Sequence, residues 1–281
     1  MHVLTTRRFE FSSAHRYWRA DWTPEQNLEV FGKCTNAYGH GHNYALEVTV
    51  SGEVDETTGM VINLTELKAI VGEVLDGFDH KHLNEDTPYF RDCQPTTENI
   101  VGVLWSLIEP RLPDGVDLRR LRLYETPDIF AEYHGGDTAT FGRAYGFSAA
   151  HRLDSPRLSA EENVALYGKC NNAAGHGHDY RFEVSVEGSI SPETGMVINL
   201  VELDDLVGAV VAELDHTHLD RQQPHFAERP STGENIVAYL WARLTESISG
   251  PLGGRLRWLK LWETPRNVFE LGASDLGVVA T

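Results

Sequence analysis

Two histidines one residue apart, His40-Gly41-His42, follow a cysteine, Cys34, by six positions. On extended chain, residues two apart point to the same side, so the two imidazoles would be presented together. His15 ends an earlier β-type stretch, and an antiparallel pairing would bring it alongside them. Three neutral imidazoles converging on one point make a metal site with an open fourth position, the kind that holds a catalytic zinc. Zinc is the metal expected, although the same ligand type also suits iron, nickel or copper. A second arrangement makes Cys34 the fourth ligand, which closes the site and makes it structural.

Each of these residues returns 136 positions later. His15, Cys34, His40 and His42 become His151, Cys170, His176 and His178. Phe11-Ser12-Ser13-Ala14-His15-Arg16 reappears as Phe147-Ser148-Ala149-Ala150-His151-Arg152, and Gly59-Met60-Val61-Ile62-Asn63-Leu64 as Gly195-Met196-Val197-Ile198-Asn199-Leu200. Ten of the 13 histidines fall into pairs at this offset, whereas Cys93 has Arg229 at its equivalent place. Self-similarity at a fixed long period means a duplicated unit. The sequence therefore predicts two domains, residues 1–136 and 137–281, meeting at Gly135-Gly136-Asp137.

Cys34 and Cys170 share one relation to the histidine motif, and a nearby cation favours the thiolate, a base or nucleophile. Asp79-His80 and Asp215-His216 supply a carboxylate beside an imidazole, which fixes the tautomer and raises basicity, or else merely caps a loop after a helix. Glu125 and Glu263 end a β-type stretch. A carboxylate there accepts paired N–H groups of the kind found on an amino-pyrimidinone edge, unless it is a plain surface glutamate.

These groups need a scaffold. Val3–Ser13 and Tyr44–Val54 alternate and are rich in β-branched and aromatic residues, so they read as strands, with an irregular excursion from Arg16 to Gly39 between them. Leu67, Ile70, Val71, Val74 and Leu75 recur at helical spacing. A second helix starts near Thr97 and stops at Pro110, which cannot continue it. Leu118–Glu125 and Ile129–His134 close the unit as a hairpin. The order ββααββ predicts an α+β unit, a four-stranded antiparallel sheet with two helices on one face. Such a sheet leaves its edges bare, and closing several units into a barrel would remove them, so oligomers are expected.

At this point the sequence resembles the family of 6-pyruvoyl-tetrahydropterin synthases and 6-carboxytetrahydropterin synthases. The resemblance rests on Phe-Ser-x-Ala-His, Gly-Lys-Cys-x5-His-Gly-His-x-Tyr, Thr-Gly-Met-Val-Ile-Asn-Leu, Asp-His-x-x-Leu and a late Glu-Thr, and it covers nearly all of both halves. It implies two tandem tunnelling-fold (T-fold) units that close into β-barrels, with sites built between neighbouring units. It implies one Zn2+ per unit, held by His15, His40 and His42 and again by His151, His176 and His178. Cys34 and Cys170 become the proton-abstracting bases and the Asp-His pairs their relay. Glu125 and Glu263 become pterin anchors, helped by Thr96, Thr97 and Thr232. The implied reaction is lyase chemistry on 7,8-dihydroneopterin triphosphate that gives 6-pyruvoyl-tetrahydropterin, or 6-carboxy-5,6,7,8-tetrahydropterin with release of acetaldehyde, as in the queuosine pathway. Five residues between the cysteine and His-Gly-His favour the pyruvoyl branch. A pterin- or zinc-binding assembly protein without turnover is the rival from another class.

The composition is compatible with this. Hydrophobic residues make up 41% of 281 and charged ones 23%, as in a globular protein. The formal net charge of -18 argues against nucleic acid or an anionic membrane as partner, since both are polyanions. A triphosphate therefore needs local cations, for which Lys33, Lys169, Arg16, Arg152 and Lys81 are the candidates. No apolar leader and no membrane-length apolar run is present, and three cysteines cannot form a disulfide framework, so a cytoplasmic protein is expected. The copies also differ: Thr97 becomes Gly233, and Asn43 becomes Asp179.

Overall fold

The computed structural model describes residues 1–249 and 254–276. The protein divides into two compact units, Met1–Gly142 with Glu187–Asn199, and Arg143–Val186 with the described residues from Leu200 onward.

In the first unit, β1 (His2–His15) runs antiparallel to β2 (His40–Glu53), and β2 to β4 (Val116–Thr126), which turns into β5 (Ile129–Tyr133). A two-residue strand, β3 (Lys81–His82), adds in parallel to the outer side of β1. The helices are α1 (Pro24–Phe31), α2 (Leu64–Leu75), the single turn α3 (Leu83–Asp86) and α4 (Thr97–Ile108). Alternation along β2 and β4 sends Tyr44, Leu46, Val48, Val50, Leu118, Leu121 and Leu123 inward, where Leu67, Val71, Ile100, Leu104 and Ile108 of α2 and α4 meet them in one core. Burying a side chain of that size contributes about 1.5–3 kcal/mol. Asn63 caps α2 and Thr96 caps α4, each by accepting a backbone N–H with its side chain.

The stretch expected to be irregular contains α1. Thr23 and Gln26 form a capping box there, with proline at the first helical turn. Pro110 lies in a 3-10 turn that ends α4.

In the second repeat, β6 (Thr138–His151), α5 (Ala160–Tyr167), β7 (His176–Ser189), α6 (Leu200–Ala212), β8 (Thr217–His218), α7 (Leu219–Gln222), α8 (Gly233–Ser249), β9 (Arg255–Thr264) and β10 (Asn267–Gly272) follow the same order. Their strand sequence is β10-β9-β7-β6-β8. Val184, Val186, Leu203, Val207, Ile236, Leu240, Leu244, Leu259 and Leu261 are buried.

The segment Glu187–Asn199, which belongs to the second repeat by sequence, packs in the first unit. Thr96 Oγ1 donates to Gly195 O at 2.5 Å, Val197 N to Glu98 Oε1 at 3.0 Å, and Asn199 Nδ2 to Val30 O at 3.0 Å. Among the described residues no helix is long and apolar enough to cross a membrane.

Candidate active site

The β1–β2 register sets His15 opposite His40 and Ser13 opposite His42. Because both strands alternate, the three imidazoles share one face. His15 Nε2 lies 3.1 Å from His40 Nε2, and the ligand atoms of His15, His40 and His42 all fall within 4.8 Å of one another. An edge of roughly 3.3 Å is what a tetrahedral ion with metal–nitrogen bonds of about 2.0 Å requires. Gly39 makes the turn into β2 at φ 68°, and a Cβ there would come within 2.7 Å of His15 O and of His82 Nε2. Glycine is therefore required, sterically as well as for its backbone conformation.

The tautomers suit a metal. The Pro95 carbonyl can only accept, so His15 Nδ1, 3.0 Å away, carries the proton and Nε2 presents its lone pair. His42 Nε2 is buried without a hydrogen-bond partner. Burial lowers the His15 pKa to about 4 and also lowers His40, whose neighbour His42 adds to the effect. Neutral rings with buried, unpartnered nitrogens fit a divalent ion.

The second unit has the same arrangement. His151 Nε2 lies 3.1 Å from His176 Nε2, and His151 Nδ1 donates to Ser231 O at 2.9 Å. His178 Nε2 is buried without a hydrogen-bond partner, and the three rings form the second cluster of close ligand atoms.

Cys34 sits in a 3-10 turn, Gly32–Thr35, held by the bond from Tyr17 N to Cys34 O at 2.9 Å. Its Sγ is 4.0 Å from His40 Nε2, and it does not belong to the close ligand cluster. That placement leaves the thiol beside the histidine cluster and outside it. Burial, reinforced by the charge of Glu125, pushes the thiol up to about 12, so the protein alone does not ionise it near neutral pH.

Glu125 is buried beside the histidines. Its Oε1 is 3.4 Å from His42 Nε2, while its Oε2 accepts from Thr97 Oγ1 at 2.6 Å and from Tyr17 OH at 3.4 Å. A carboxylate fixed in this way can receive a pair of N–H groups beside the histidines. Thr96 uses its hydroxyl as the α4 cap and toward Gly195. In the second unit Glu263 Oε1 is 3.9 Å from both His151 Nε2 and His178 Nε2, and Thr232 Oγ1 accepts from Asn235 N at 3.4 Å.

The Asp-His pairs are well formed but lie outward. His80 Nδ1 is 2.8 Å from Asp79 Oδ2, and Ser12 N donates to Asp79 Oδ1 at 2.8 Å. That backbone bond, then the His80 contact, lowers the Asp79 carboxyl. His80 adopts φ 56°, fixed by its N–H to Ser12 O at 2.6 Å, and its ring is 83% exposed. Asp215 and His216 repeat the contact at 2.8 Å and φ 57°. A cavity of about 540 Å3 is lined by His80, Lys81 and His42, but Cys34 does not line it. Thus His15, His40, His42, Cys34, Thr97 and Glu125 converge, while His80 shares with His42 the lining of that cavity.

Four residues gained no role from the sequence. Tyr17 reaches Glu125 from beyond the strand, a contact no local spacing reveals. Glu98 is buried and accepts from Val197 N, and burial, opposed by that bond, raises it to about 7. His82 and His218 were visible as a repeated pair, and both have buried ring nitrogens without hydrogen-bond partners. Of the cation candidates, Arg16 lines a second cavity of about 580 Å3 with Arg19, Arg91 and His82, and stacks on Trp18 at 4.2 Å.

The family profile described as 6-pyruvoyl tetrahydropterin synthase matches residues 4–136 and again 141–273. A Homo sapiens 6-pyruvoyl tetrahydrobiopterin synthase is 45% identical over 131 residues, 46% of this chain and 90% of that protein. A putative 6-carboxy-5,6,7,8-tetrahydropterin synthase of Archaeoglobus fulgidus is 42% identical over 93 residues, 33% of this chain and 73% of that protein. The solved structure of a Caenorhabditis elegans 6-pyruvoyl tetrahydropterin synthase is similar at 38% identity and TM-score 0.46, covering 48% of this chain and 95% of that one. With its two matched segments spanning nearly the whole sequence, the chain belongs to the 6-pyruvoyl tetrahydropterin synthase family, twice over.

Proposed function

We propose that the protein is a zinc-dependent carbon–oxygen lyase of pterin biosynthesis that converts 7,8-dihydroneopterin triphosphate to 6-pyruvoyl-tetrahydropterin and triphosphate. The observation that carries this reading is the meeting of three imidazole nitrogens with a buried carboxylate, Glu125, 3.4 Å from one of them. Zinc bound by His15, His40 and His42 would supply Lewis acidity to the substrate's side-chain oxygens and a positive charge that favours the Cys34 thiolate. Glu125 would receive the amino-pyrimidinone N–H pair and so fix the rest of the substrate over the histidines. The Cys34 thiolate would take a proton from a carbon of the substrate's side chain. The electron pair passes into the pterin ring's C=N bond, and the C–O bond to triphosphate breaks. The two alcohol carbons of that side chain end as ketones while the ring is reduced, so no outside oxidant or reductant is consumed. His80, oriented by Asp79, would carry protons at the cavity shared with His42.

The finer reading is two T-fold units, 1–136 and 137–281, two zinc ions per chain, closure into β-barrels as a homo-oligomer, and a cytoplasmic setting. The archaeal relative's name supports a second reading, the 6-carboxy product. Mass-spectrometric analysis of the products from zinc-loaded protein and 7,8-dihydroneopterin triphosphate tests both. The pyruvoyl product without acetaldehyde supports the first reading, acetaldehyde release the second, and substrate returned unchanged refutes both.

A further inference from the structure

The two histidine triads match in the 3.1 Å approach of their first two rings and in the backbone carbonyl at the buried ring's Nδ1, but the carboxylates beside them are held differently. In the first unit Glu125 Oε2 receives two hydroxyls, Thr97 at 2.6 Å and Tyr17 at 3.4 Å. The second unit has neither donor, because Gly233 stands for Thr97 and Leu153 for Tyr17. No larger residue fits at Gly233 alone, since its Cβ would fall 2.0 Å from Phe269 Cε2. Phe269 takes the place of the fully buried Ala131. A large residue on β10 therefore fills the volume that the threonine side chain occupies over β5. Glu263 is instead bound at Oε2 by Asn267 Nδ2 at 2.9 Å, from an exposed residue at the start of β10. Its Oε1 stands 3.9 Å from two histidines, where Glu125 approaches one at 3.4 Å.

A second difference lies behind the triad. Asn84, which binds Arg16 backbone atoms, is replaced by Asp220, which accepts from Arg152 N at 2.7 Å and from Ser231 Oγ at 2.7 Å. Asp220 Oδ2 also lies 3.8 Å from His218 Nδ1, while Glu85 and Asp86 of the first unit give way to Arg221 and Gln222.

The geometry points to two unequal sites: both units hold metal, but only the first holds its carboxylate ready for a pterin, with Thr97 and Tyr17 as the positioning residues. This rests on the pterin reading of Glu125 and concerns how that site is shared out between the copies. Preorganised acceptors bind without first having to be ordered, whereas Glu263 is held only by a side chain that is itself exposed.

Isothermal titration of the zinc-loaded full-length protein with 7,8-dihydroneopterin, with zinc counted in the same sample, tests this without any turnover. The expected result is two zinc ions and one pterin per polypeptide. Gly233→Thr combined with Phe269→Ala should raise the pterin count toward two at unchanged zinc content. In turnover, Cys34→Ala should cost more than ten-fold, where equal sites would lose only half. Two equivalent pterins in the unaltered protein, a double variant that stays at one, or a two-fold loss for Cys34→Ala would overturn the inequality. A single pterin bound without turnover would sink the lyase reading and leave the inequality standing, while no bound pterin would sink both.

Discussion

Replacing Thr97 by valine removes one hydroxyl and keeps the shape of a buried side chain at the first turn of α4. Glu125 Oε2 loses its 2.6 Å donor and keeps only Tyr17 OH at 3.4 Å. A hydrogen bond to a charged group is worth about 1.5–3 kcal/mol. At about 1.4 kcal/mol per ten-fold, the loss spans roughly ten- to hundred-fold in affinity. The remaining tyrosine and the pterin's own N–H groups compensate in part, so we expect the lower end, about ten-fold. It should appear in the dissociation constant for 7,8-dihydroneopterin and in KM, with kcat changed less than about three-fold, because the anchor acts on bound substrate and transition state alike. Thr97→Ser restores the donor and should return both values to within about two-fold. The assays are calorimetric titration and steady-state release of triphosphate. A valine variant that binds like the unaltered protein, or serine and valine variants that behave alike, would refute the reasoning.

Glu98 gives a pH prediction. Its pKa is raised from 4.5 to about 7 by burial, so the folded state holds a proton that the unfolded state has released. Its contribution to stability is complete below pH 4.5 and is lost as pH rises through about 7, at most about 3 kcal/mol. Glu98→Gln keeps the carbonyl that accepts from Val197 N and should flatten the fall in thermal midpoint between about pH 5 and pH 8; an equal fall in the variant contradicts it. For Cys34, raised from 9.0 to about 12, the same reasoning places the loss of its stability contribution between those values as pH rises. Iodoacetamide labelling of Cys34 in metal-free folded protein should therefore still be increasing at about pH 10, whereas in denaturant it levels off near the ordinary thiol pKa; identical profiles would be contrary. Gly39→Ala places a Cβ 2.7 Å from His15 O at φ 68°, which should cost at least about 1–2 kcal/mol and about half of the bound zinc, measured by melting and metal content.

The strands, the two long helices and the clustered histidines were legible because they depend on local periodicity and on a repeat. Alternation fixed which residues of β1 and β2 share a face, and the duplicated His-x-His picked out histidines whose ring nitrogens come together. Helix α1 was missed although Thr23-Pro24-Glu25-Gln26 spells a capping box, because its apolar pattern is weak and only Asn27 and Phe31 are buried. Tyr17 and Glu98 were beyond reach for a different reason. Tyr17 meets Glu125 across 108 positions and Glu98 meets Val197 across 99, and no window of sequence holds either pair. The swap of Thr97 and Ala131 for Gly233 and Phe269 was printed in the sequence, but only the packing shows that the two changes share one volume.

The account depends on each histidine triad holding a cation while the cysteine stays out of its coordination. X-ray absorption at the zinc edge of the loaded protein reads that directly. The account predicts nitrogen and oxygen neighbours at about 2.0–2.1 Å and no sulfur shell. A sulfur neighbour at about 2.3 Å would make Cys34 or Cys170 a ligand, close the fourth position and contradict the chemistry proposed for it.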